Sequence, residues 1–509
     1  MDIYYYIKVI IHYGLKNNLI EEFDKIFIIN QLLKLFELDE WIEPNHLSFD
    51  IPDSPQTILD SLCDYAVKMN LIEDSQGMRD LFDTKIMGIL TPLPSIVINK
   101  FYDICNIANK KEATKWYYNF SQKTNYIRTE RINKNVYWTV DTDYSSLEIT
   151  INLSKPEKDP KDIEREKNAI QKSYPKCLLC YENVGYSGRV DHPSRENHRV
   201  IPVDISSDKN EDWFIQYSPY IYYNEHIIVF SIKHSPMKID IDTFDRITRF
   251  VEIYPHYFLG SNADLPIVGG SILNHNHYQG GNHLFPMAKA KIEKQIVFKN
   301  YENIEAGILK WPMSVIRLKS PDRKKLISLA NKILLSWRTH SDKSLDILAF
   351  SDDLPHNTIT PIARKTESGF ELDLVLRNNR TTEKFPLGIF HPHDEVHNIK
   401  KENIGLIEVM GLAVLPGRLK EELEILESYM VVENWKEKII ENKKVSKHLN
   451  WAEEIINSNN NITEENIHDI LKSEVGKTIL KVLTYAGVYK RDKNGKNGFL
   501  KFIDSINEI

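Results

Sequence analysis

The order of helix-like and strand-like segments along the chain is the feature that most constrains its fold. Residues 1 to about 125 carry apolar side chains at helical spacing, as in Ile58, Leu59 and Leu62. From about 135 to 420, short β-branched segments alternate with a few helices, and residues from about 418 onward are again helical and charge-rich. Because helices do not regularly separate the strands, the pattern predicts an α+β fold with antiparallel sheet and helical N- and C-terminal segments.

Individual elements follow from the same periodicities. We predict strands at 136–140, 147–151, 227–230, 345–350, 372–376 and 404–409. Helices are predicted at 241–253 and 321–338, with a charged helix from about 160 to 173.

Composition excludes several classes of function. The chain has 509 residues and a formal net charge of -7, which argues against an electrostatic nucleic-acid binder. No run of about 18 apolar residues occurs, and the N-terminus lacks the pattern of a signal peptide, so we expect no membrane partner. Few cysteines and no export signal indicate a cytoplasmic protein.

Two Gly-Gly pairs frame the sharpest local motif, which runs from Gly269 to Gly281 and contains Ser271, His275, His277 and Gln279. In an extended strand, residues two apart share a face, so the two histidines and the glutamine would project together. A neutral imidazole is a competent nucleophile toward phosphorus, and an amide can donate to an oxygen where charge develops. The alternative interpretation is a strand that carries surface polar residues.

The pair Cys177 and Cys180 has the C-x-x-C spacing of half a zinc site. Two further ligands are needed, and the alternatives are buried free thiols or a redox pair. His234 ends an apolar strand and, taken alone, is typical of a surface turn. A later segment holds three histidines, His391, His393 and His397, together with two acidic residues. It is compatible with a metal or phosphate site or with a solvated loop. The same two alternatives apply to His356.

At several of these motifs the chain resembles the galactose-1-phosphate uridylyltransferases (UDP-glucose–hexose-1-phosphate uridylyltransferases), in their longer, second bacterial class. The resemblance is carried by residues 174–183, 195–202, 261–271 leading into the histidine pair, 386–393, 400–411 and 414–419. It implies two tandem halves related to the histidine-triad proteins. The catalytic half would be 131–300 and the second half 301–420, with helical regions at 1–130 and 421–509.

The resemblance also implies roles for particular residues. His277 would be the nucleophile and Gln279 the phosphoryl contact. Cys177, Cys180, His234 and His275 would hold a structural zinc, and looser counterparts of a second metal site are Glu293, His356, His391 and His393. Ser271 and Asn262 match the phosphate loop, and further candidate uridine or phosphate contacts are Arg195, Asn197 and Arg199.

The implied reaction moves UMP from UDP-glucose to galactose-1-phosphate through a uridylyl-histidine, which gives UDP-galactose and glucose-1-phosphate in galactose metabolism. Relatives of this family suggest a homodimer. Two alternatives remain at this point. One is a dinucleotide phosphorylase or adenylyl-sulfate-type transferase of the same superfamily, and the other is a non-catalytic, zinc-stabilised binding protein.

Overall fold

The computed structural model describes residues 2–44, 50–154, 172–206 and 211–508. Its α-helices are α1 Ile3–Lys16, α2 Lys25–Leu35, α3 Gln56–Lys68, α4 Gln76–Leu90, α5 Pro94–Ile107, α6 Lys110–Lys123, α7 Thr129–Ile132, α8 Ile241–Ile253, α9 Pro286–Lys289, α10 Arg323–Thr339, α11 Leu406–Val409, α12 Arg418–Met430, α13 Trp435–Glu441, α14 Leu449–Ser458, α15 Ile467–Ala486 and α16 Lys493–Glu508. Short 3-10 helices occupy Glu22–Asp24, Tyr181–Asn183, Lys343–Leu345, Asp394–Val396 and Ser446–His448.

The strands are β1 Val136–Asp141, β2 Ser146–Asn152, β3 Ile201–Val203, β4 Trp213–Tyr217, β5 Ile227–Ser231, β6 Phe258–Gly260, β7 His277–Gly281, β8 Ile292–Ile296, β9 Glu305–Leu309, β10 Val315–Ser320, β11 Phe350–Ser351, β12 Leu354–Pro355, β13 Asn357–Thr366, β14 Gly369–Asn378 and β15 Leu412–Pro416. The chain divides into two compact units.

The first unit comprises residues 1–134, 154–221 and 225–235, and it contains α1–α7 with the antiparallel strands β3, β4 and β5. Apolar faces explain the helices; α3, for example, buries Ile58, Leu59 and Leu62. Helix α6 lies against the strands, since the hydroxyl of Tyr117 donates to the Arg199 carbonyl at 2.6 Å and that of Tyr217 donates to the Thr114 carbonyl at 2.8 Å. The rings of Tyr117 and Tyr217 are also in contact, with centroids 5.0 Å apart, so α6 packs directly on this part of the sheet.

The second unit comprises residues 135–153, 222–224 and 236–509. Seven of its strands pair in the order β7-β6-β13-β14-β10-β9-β8, and every pairing among them is antiparallel. Strands β1, β2 and β15 form a smaller sheet in which β2 and β15 are parallel. Buried side chains from both sheets and from α12 to α15 form one core, which includes Trp311, Val375 and Leu483.

The α+β fold with antiparallel sheet is confirmed, as are the strands predicted at 136–140, 147–151, 227–230 and 372–376. The helices predicted at 241–253 and 321–338 are α8 and α10. Each begins after an aspartate cap, because Asp240 accepts from the Thr243 amide and Asp322 accepts from the Lys325 amide, both at 3.1 Å. The predicted helix at 160–173 lies outside the described residues except for its last two positions, and the four-region division of the chain stays a prediction.

Two strand predictions are wrong. Only Phe350 of residues 345–350 lies in a strand. Leu345 ends a 3-10 helix that Asp342 caps by accepting from the amide and hydroxyl of Ser344, and Asp346 then turns the chain with a left-handed φ of 60°. Residues 404–409 contain the helix α11 instead of a strand. The Glu408 carboxylate caps its first turn by accepting from the Gly405 amide at 3.2 Å. Both segments are short apolar runs, and periodicity alone does not separate a strand from a buried turn of helix in such runs.

Among the described residues, no single helix has the length and apolar character needed to cross a bilayer. Helices α4 and α5, which meet at 64°, meet that requirement only as a bent pair, by length and composition alone.

A buried ion network joins three neighbouring strands of the larger sheet. Arg317 on β10 makes two hydrogen bonds to Asp373 on β14, at 2.7 and 2.8 Å, and Arg364 on β13 donates to the same carboxylate at 2.6 Å. Burial alone would raise the pKa of Asp373, but Arg364 and Arg317 outweigh it and lower that pKa to about 2. The carboxylate is therefore charged, fully paired and central to the sheet.

Replacing Asp373 by Asn should lower the free energy of unfolding at pH 7 by about 3 kcal/mol, because Arg317 and Arg364 lose one of their two buried carboxylates and keep only Glu371. The folded pKa lies below the unfolded value of about 3.9, so the contribution is complete above about pH 5 and is lost as the pH falls toward 2. Urea unfolding at several pH values checks this. The difference in unfolding free energy between wild type and variant should become smaller in acid. Lys444→Ala is the control, because it breaks an exposed ion pair with Glu421 and should change the unfolding free energy by less than about 1 kcal/mol.

Candidate active site and metal-binding group

His277 is the first residue of β7, and its ring is buried. Its Nδ1 lies 2.8 Å from the carbonyl oxygen of His275, and because a carbonyl only accepts, Nδ1 must carry the proton. The lone pair is then on Nε2. Burial lowers the pKa of His277 to about 4, so the ring is neutral at neutral pH. A neutral imidazole with a fixed tautomer and an available Nε2 is the form that attacks phosphorus.

Gln279 follows two residues later on the same strand and therefore projects to the same face as His277. Its backbone is opposite Gly260 of β6. Its Oε1 is buried and has no hydrogen-bond partner among the described residues. His275 lies in a bend before the strand, so the predicted extended conformation covers His277 and Gln279 only.

The loop before the histidine pair is tightly closed. A Cβ on Gly269 would lie 2.6 Å from the Ala263 carbonyl oxygen, so only glycine fits at this position. Asn262 is buried, and its Oδ1 accepts from the Leu406 amide at 2.8 Å, which ties this loop to the start of α11. Ser271 is exposed.

Three side chains of the first unit, Cys177, Cys180 and His234, belong to a group that is suited to hold a metal ion. His275, the fourth ligand that the resemblance implies, stays a prediction. The two sulfur atoms are 3.6 Å apart, and Cys180 Sγ is 3.2 Å from Nδ1 of His234. Ligand–metal distances of about 2.3 Å for sulfur and 2.0–2.1 Å for nitrogen in a tetrahedron give separations close to these. Burial and the Cys177 thiol raise the pKa of Cys180 to about 12, and a bound cation would offset both effects. The donor set therefore fits a divalent metal.

Two residues that sequence reasoning did not identify hold the cysteine turn. The side-chain amide of Asn183 donates to the carbonyl oxygens of Cys177 and Cys180, both at 2.8 Å. The ring of His192 lies behind it, with Nε2 2.6 Å from Asn183 Oδ1. Asn183 ends the 3-10 helix after the second cysteine, and that position, three residues after a C-x-x-C pair, was the only signal available in the sequence.

The residues suggested for a second metal site, Glu293, His356, His391 and His393, do not form a cluster. Within the described residues no second group of potential metal ligands occurs. Each member has its own partners: Glu293 pairs with Arg491, His356 contacts Asn379 and Ser351, His391 contacts Asn403, and His393 stacks between Phe385 and Tyr485.

The three candidate contacts near position 197 have different surroundings. Asn197 is buried and donates to the Thr124 carbonyl at 2.8 Å, while Arg195 is half-buried and lines a pocket. Arg199 is buried and makes four bonds to the carbonyl oxygens of Thr91, Pro92, Glu196 and His198. Four of its five N–H donors are thus already occupied, and its role as a phosphate contact stays a prediction.

The fold and these side chains define an α+β protein with a buried neutral histidine, a neighbouring glutamine, and two cysteines and a histidine that are suited to a metal ion. Two family models match the chain: "Galactose-1-phosphate uridyl transferase, N-terminal domain" over residues 18–236 and "Galactose-1-phosphate uridyl transferase, C-terminal domain" over residues 250–450. The chain belongs to the galactose-1-phosphate uridylyltransferase family, as the sequence motifs predicted.

Individual relatives agree with this assignment. A galactose-1-phosphate uridylyltransferase of Fusobacterium nucleatum is 57% identical over 99% of each chain. One of Clostridium acetobutylicum is 54% identical over 97% of this chain and 98% of the relative. Among solved structures, yeast Ap4A phosphorylase Apa2 is similar with a TM-score of 0.32 and 11% identity, covering 65% of this chain and 90% of that one. A likeness of that size carries no argument about function.

Replacing Asn183 by Ala should weaken Zn²⁺ binding by about 10- to 100-fold, because the cysteine turn loses the amide that holds two of its carbonyl groups. Competition with a chromogenic chelator measures the affinity. Asn109→Ala is the matched control, since that side chain caps α6 and should leave zinc affinity unchanged. Equal affinities for Asn183→Ala and wild type would show that the turn is held by other contacts.

Proposed function

We propose that this chain transfers UMP from UDP-glucose to galactose-1-phosphate through a covalent intermediate on His277. The observation that carries the proposal is the hydrogen bond from His277 Nδ1 to the His275 carbonyl, which leaves Nε2 as the only nucleophilic ring atom. Membership of the family supplies the substrate class. The names of the relatives specify galactose-1-phosphate and uridylyl transfer.

The reaction is a double displacement. Nε2 of His277 attacks the α-phosphorus of UDP-glucose, an N–P bond forms, and the P–O bond to glucose-1-phosphate breaks. A phosphate oxygen of galactose-1-phosphate then attacks the same phosphorus, the N–P bond breaks and UDP-galactose leaves. His277 ends each cycle as it began, neutral and protonated on Nδ1, and ping-pong kinetics follow.

Gln279 suits this chemistry because the leaving group is itself a phosphate and needs no strong acid. Its side chain shares a strand face with His277, and its amide nitrogen is the group that can donate to a phosphoryl oxygen. We assign it to a non-bridging phosphoryl oxygen, where negative charge is held during transfer. Ser271 and Asn262 are proposed contacts from the preceding loop, and Arg195, Asn197 and Arg199 are proposed contacts for the nucleotide.

We propose that Cys177, Cys180 and His234, with His275 as the fourth ligand, would hold Zn²⁺ in a structural role. When bound, the ion would hold the His275 ring. The His275 backbone carbonyl would thereby also be fixed, and that carbonyl orients His277. Cytoplasmic location and a homodimer stay predictions.

The first test is the intact mass of the full-length protein after mixing with UDP-glucose alone. Wild type should gain one uridylyl group and release an equal amount of glucose-1-phosphate, and His277→Ala should do neither because its nucleophile is gone. His468→Ala, which removes an exposed histidine paired with Glu427, is the control and should react as wild type does.

Each other result has a definite meaning. Zinc binding without adduct or sugar phosphate release would identify a non-catalytic binding protein. Reaction with adenine dinucleotides in place of UDP-glucose would identify a dinucleotide phosphorylase. An adduct that persists in His277→Ala would place the nucleophile elsewhere.

Replacing Gln279 by Ala should lower kcat by about 10²- to 10³-fold, because a transition-state oxygen loses its donor. Gln295→Ala is the control, since this residue is an exposed glutamine on β8. Steady-state kinetics with both substrates measures the effect. A change in KM with unchanged kcat would mean that Gln279 only binds the ground state.

A further inference from the structure

Arg377 on β14 is a buried cation to which the proposed activity assigns no role. The side chain is only 1% exposed. Its guanidinium donates to the Ile404 carbonyl at 2.8 Å and to the hydroxyl oxygen of Thr360 at 3.4 Å. Its Nε is buried without a hydrogen-bond partner among the described residues, and within that part of the chain no carboxylate pairs with it.

Burying a cation with so few partners costs free energy. Arg317, which is also buried in this sheet, is instead compensated by two hydrogen bonds to Asp373. Burial lowers the pKa of Arg377 to about 10, although the charge of Glu408 acts in the opposite direction, so the guanidinium is still charged at neutral pH. An apolar side chain of similar volume is often at least as stable as a poorly paired buried ion. Stability alone therefore does not explain an arginine at this position.

The stronger contact of Arg377 is with the turn that leads into α11. It donates to the carbonyl oxygen of Ile404 at 2.8 Å, and Leu406 begins the helix two residues later. The Leu406 amide in turn donates to Oδ1 of Asn262, also at 2.8 Å. Arg377 thus holds the short segment whose amide contacts Asn262.

The contact with Leu406 decides which arm of the Asn262 amide is available for other partners. A backbone N–H can only donate, so the atom that it meets must be Oδ1, and the other arm is the Nδ2 group with its two N–H donors. Nδ2 lies against Gly270, where an added Cβ would be 2.7 Å from it. The donors of Asn262 therefore face the glycine loop that precedes the histidine pair.

The register of β6 and β7 brings the same asparagine toward the proposed nucleophile. Gly260 is opposite Gln279, and the two strands are antiparallel. The next residue, Ser261, still donates to a backbone carbonyl of β13 at 3.0 Å, so the chain continues along the sheet. Two residues past Gly260 is Asn262, and two residues before Gln279 is His277, so the register places them opposite each other.

We propose that Arg377 is a positioning residue for phosphoryl transfer. It holds the turn before α11, the Leu406 amide holds Asn262 Oδ1, and the Nδ2 donors are thereby directed at a non-bridging oxygen of the phosphoryl group on His277. Only the last of these steps rests on the proposed function. The first two are contacts within the protein, and they can be measured without substrate.

The kinetic test is a double-mutant cycle with the full-length chain, UDP-glucose and galactose-1-phosphate. Asn262→Ala should lower kcat by about 100-fold, because a donor to the phosphoryl group is lost. Arg377→Met should lower kcat by about 10- to 100-fold, because that donor is misplaced. In the Asn262→Ala background, Arg377→Met should lower kcat by less than about twofold, since the side chain that it positions is already absent. Equal factors in both backgrounds would overturn the proposal.

A second arginine-to-methionine variant controls for loss of folding. Arg364 donates to Glu371 and Asp373, both at 2.6 Å, so Arg364→Met should lower the unfolding midpoint and leave kcat of the folded protein unchanged. Arg377→Met should show the reverse, with an unchanged or higher midpoint and a lower kcat. If Arg377→Met lowers the midpoint and reduces kcat only in proportion to the unfolded fraction, the residue is merely structural and the proposal is wrong.

Hydrogen exchange measured by mass spectrometry tests the first two steps without substrate. The Leu406 amide should exchange several-fold faster in Arg377→Met and in Asn262→Ala than in wild type, because its acceptor is displaced or missing. The Lys325 amide, which Asp322 caps, is the internal control and should not change. Unchanged exchange at Leu406 in Arg377→Met would overturn the proposal, whether or not the chain transfers UMP.

Failure of the proposed function has a different signature. Wild type would then form no uridylyl adduct and release no glucose-1-phosphate, while faster exchange at Leu406 in Arg377→Met would still establish that Arg377 positions Asn262.

Discussion

The hydrogen bond between His277 Nδ1 and the His275 carbonyl is the contact on which the proposed chemistry depends. The carbonyl accepts from Nδ1–H, so the proton stays on Nδ1, Nε2 keeps its lone pair, and the buried ring is held in one orientation. Burial makes the neutral ring the stable form, so no nearby base is required to activate it. His275 is also the proposed fourth zinc ligand, so one residue would connect metal binding to the orientation of the proposed nucleophile.

The surrounding sheet explains how such a contact stays in place. Strand β7 pairs with β6, β6 pairs with β13, and β13 and β14 form a long antiparallel hairpin. The buried carboxylate of Asp373 joins β10, β13 and β14 through two arginines. This network ties the three strands together, since separating them would leave a buried charge unpaired. The rigid strands then hold His277 and Gln279 at a fixed separation along one face.

The helical N-terminal region packs on the strands of the first unit and also lines a pocket. It supplies Tyr126 and Arg128 to that pocket, which also contains Arg195, a residue from one of the family motifs.

The sequence by itself determined the α+β class, the helical ends, the two capped helices and the family. These features depend on local periodicity, on aspartate caps and on motifs whose residues are close together in the chain. The candidate nucleophile, its glutamine and the cysteine pair were recognisable for the same reason.

Only the tertiary structure decided which nitrogen of His277 is free, that Asn183 and His192 hold the cysteine turn, and that Arg199 mainly binds carbonyl groups. It also showed that the predicted strand at 404–409 is a helical turn tied to Asn262 and that the second set of metal ligands is dispersed. Each of these depends on contacts between residues distant in sequence, or on competition between acceptors for one donor. No local pattern encodes such contacts, because burial and partner choice are set when the whole chain packs.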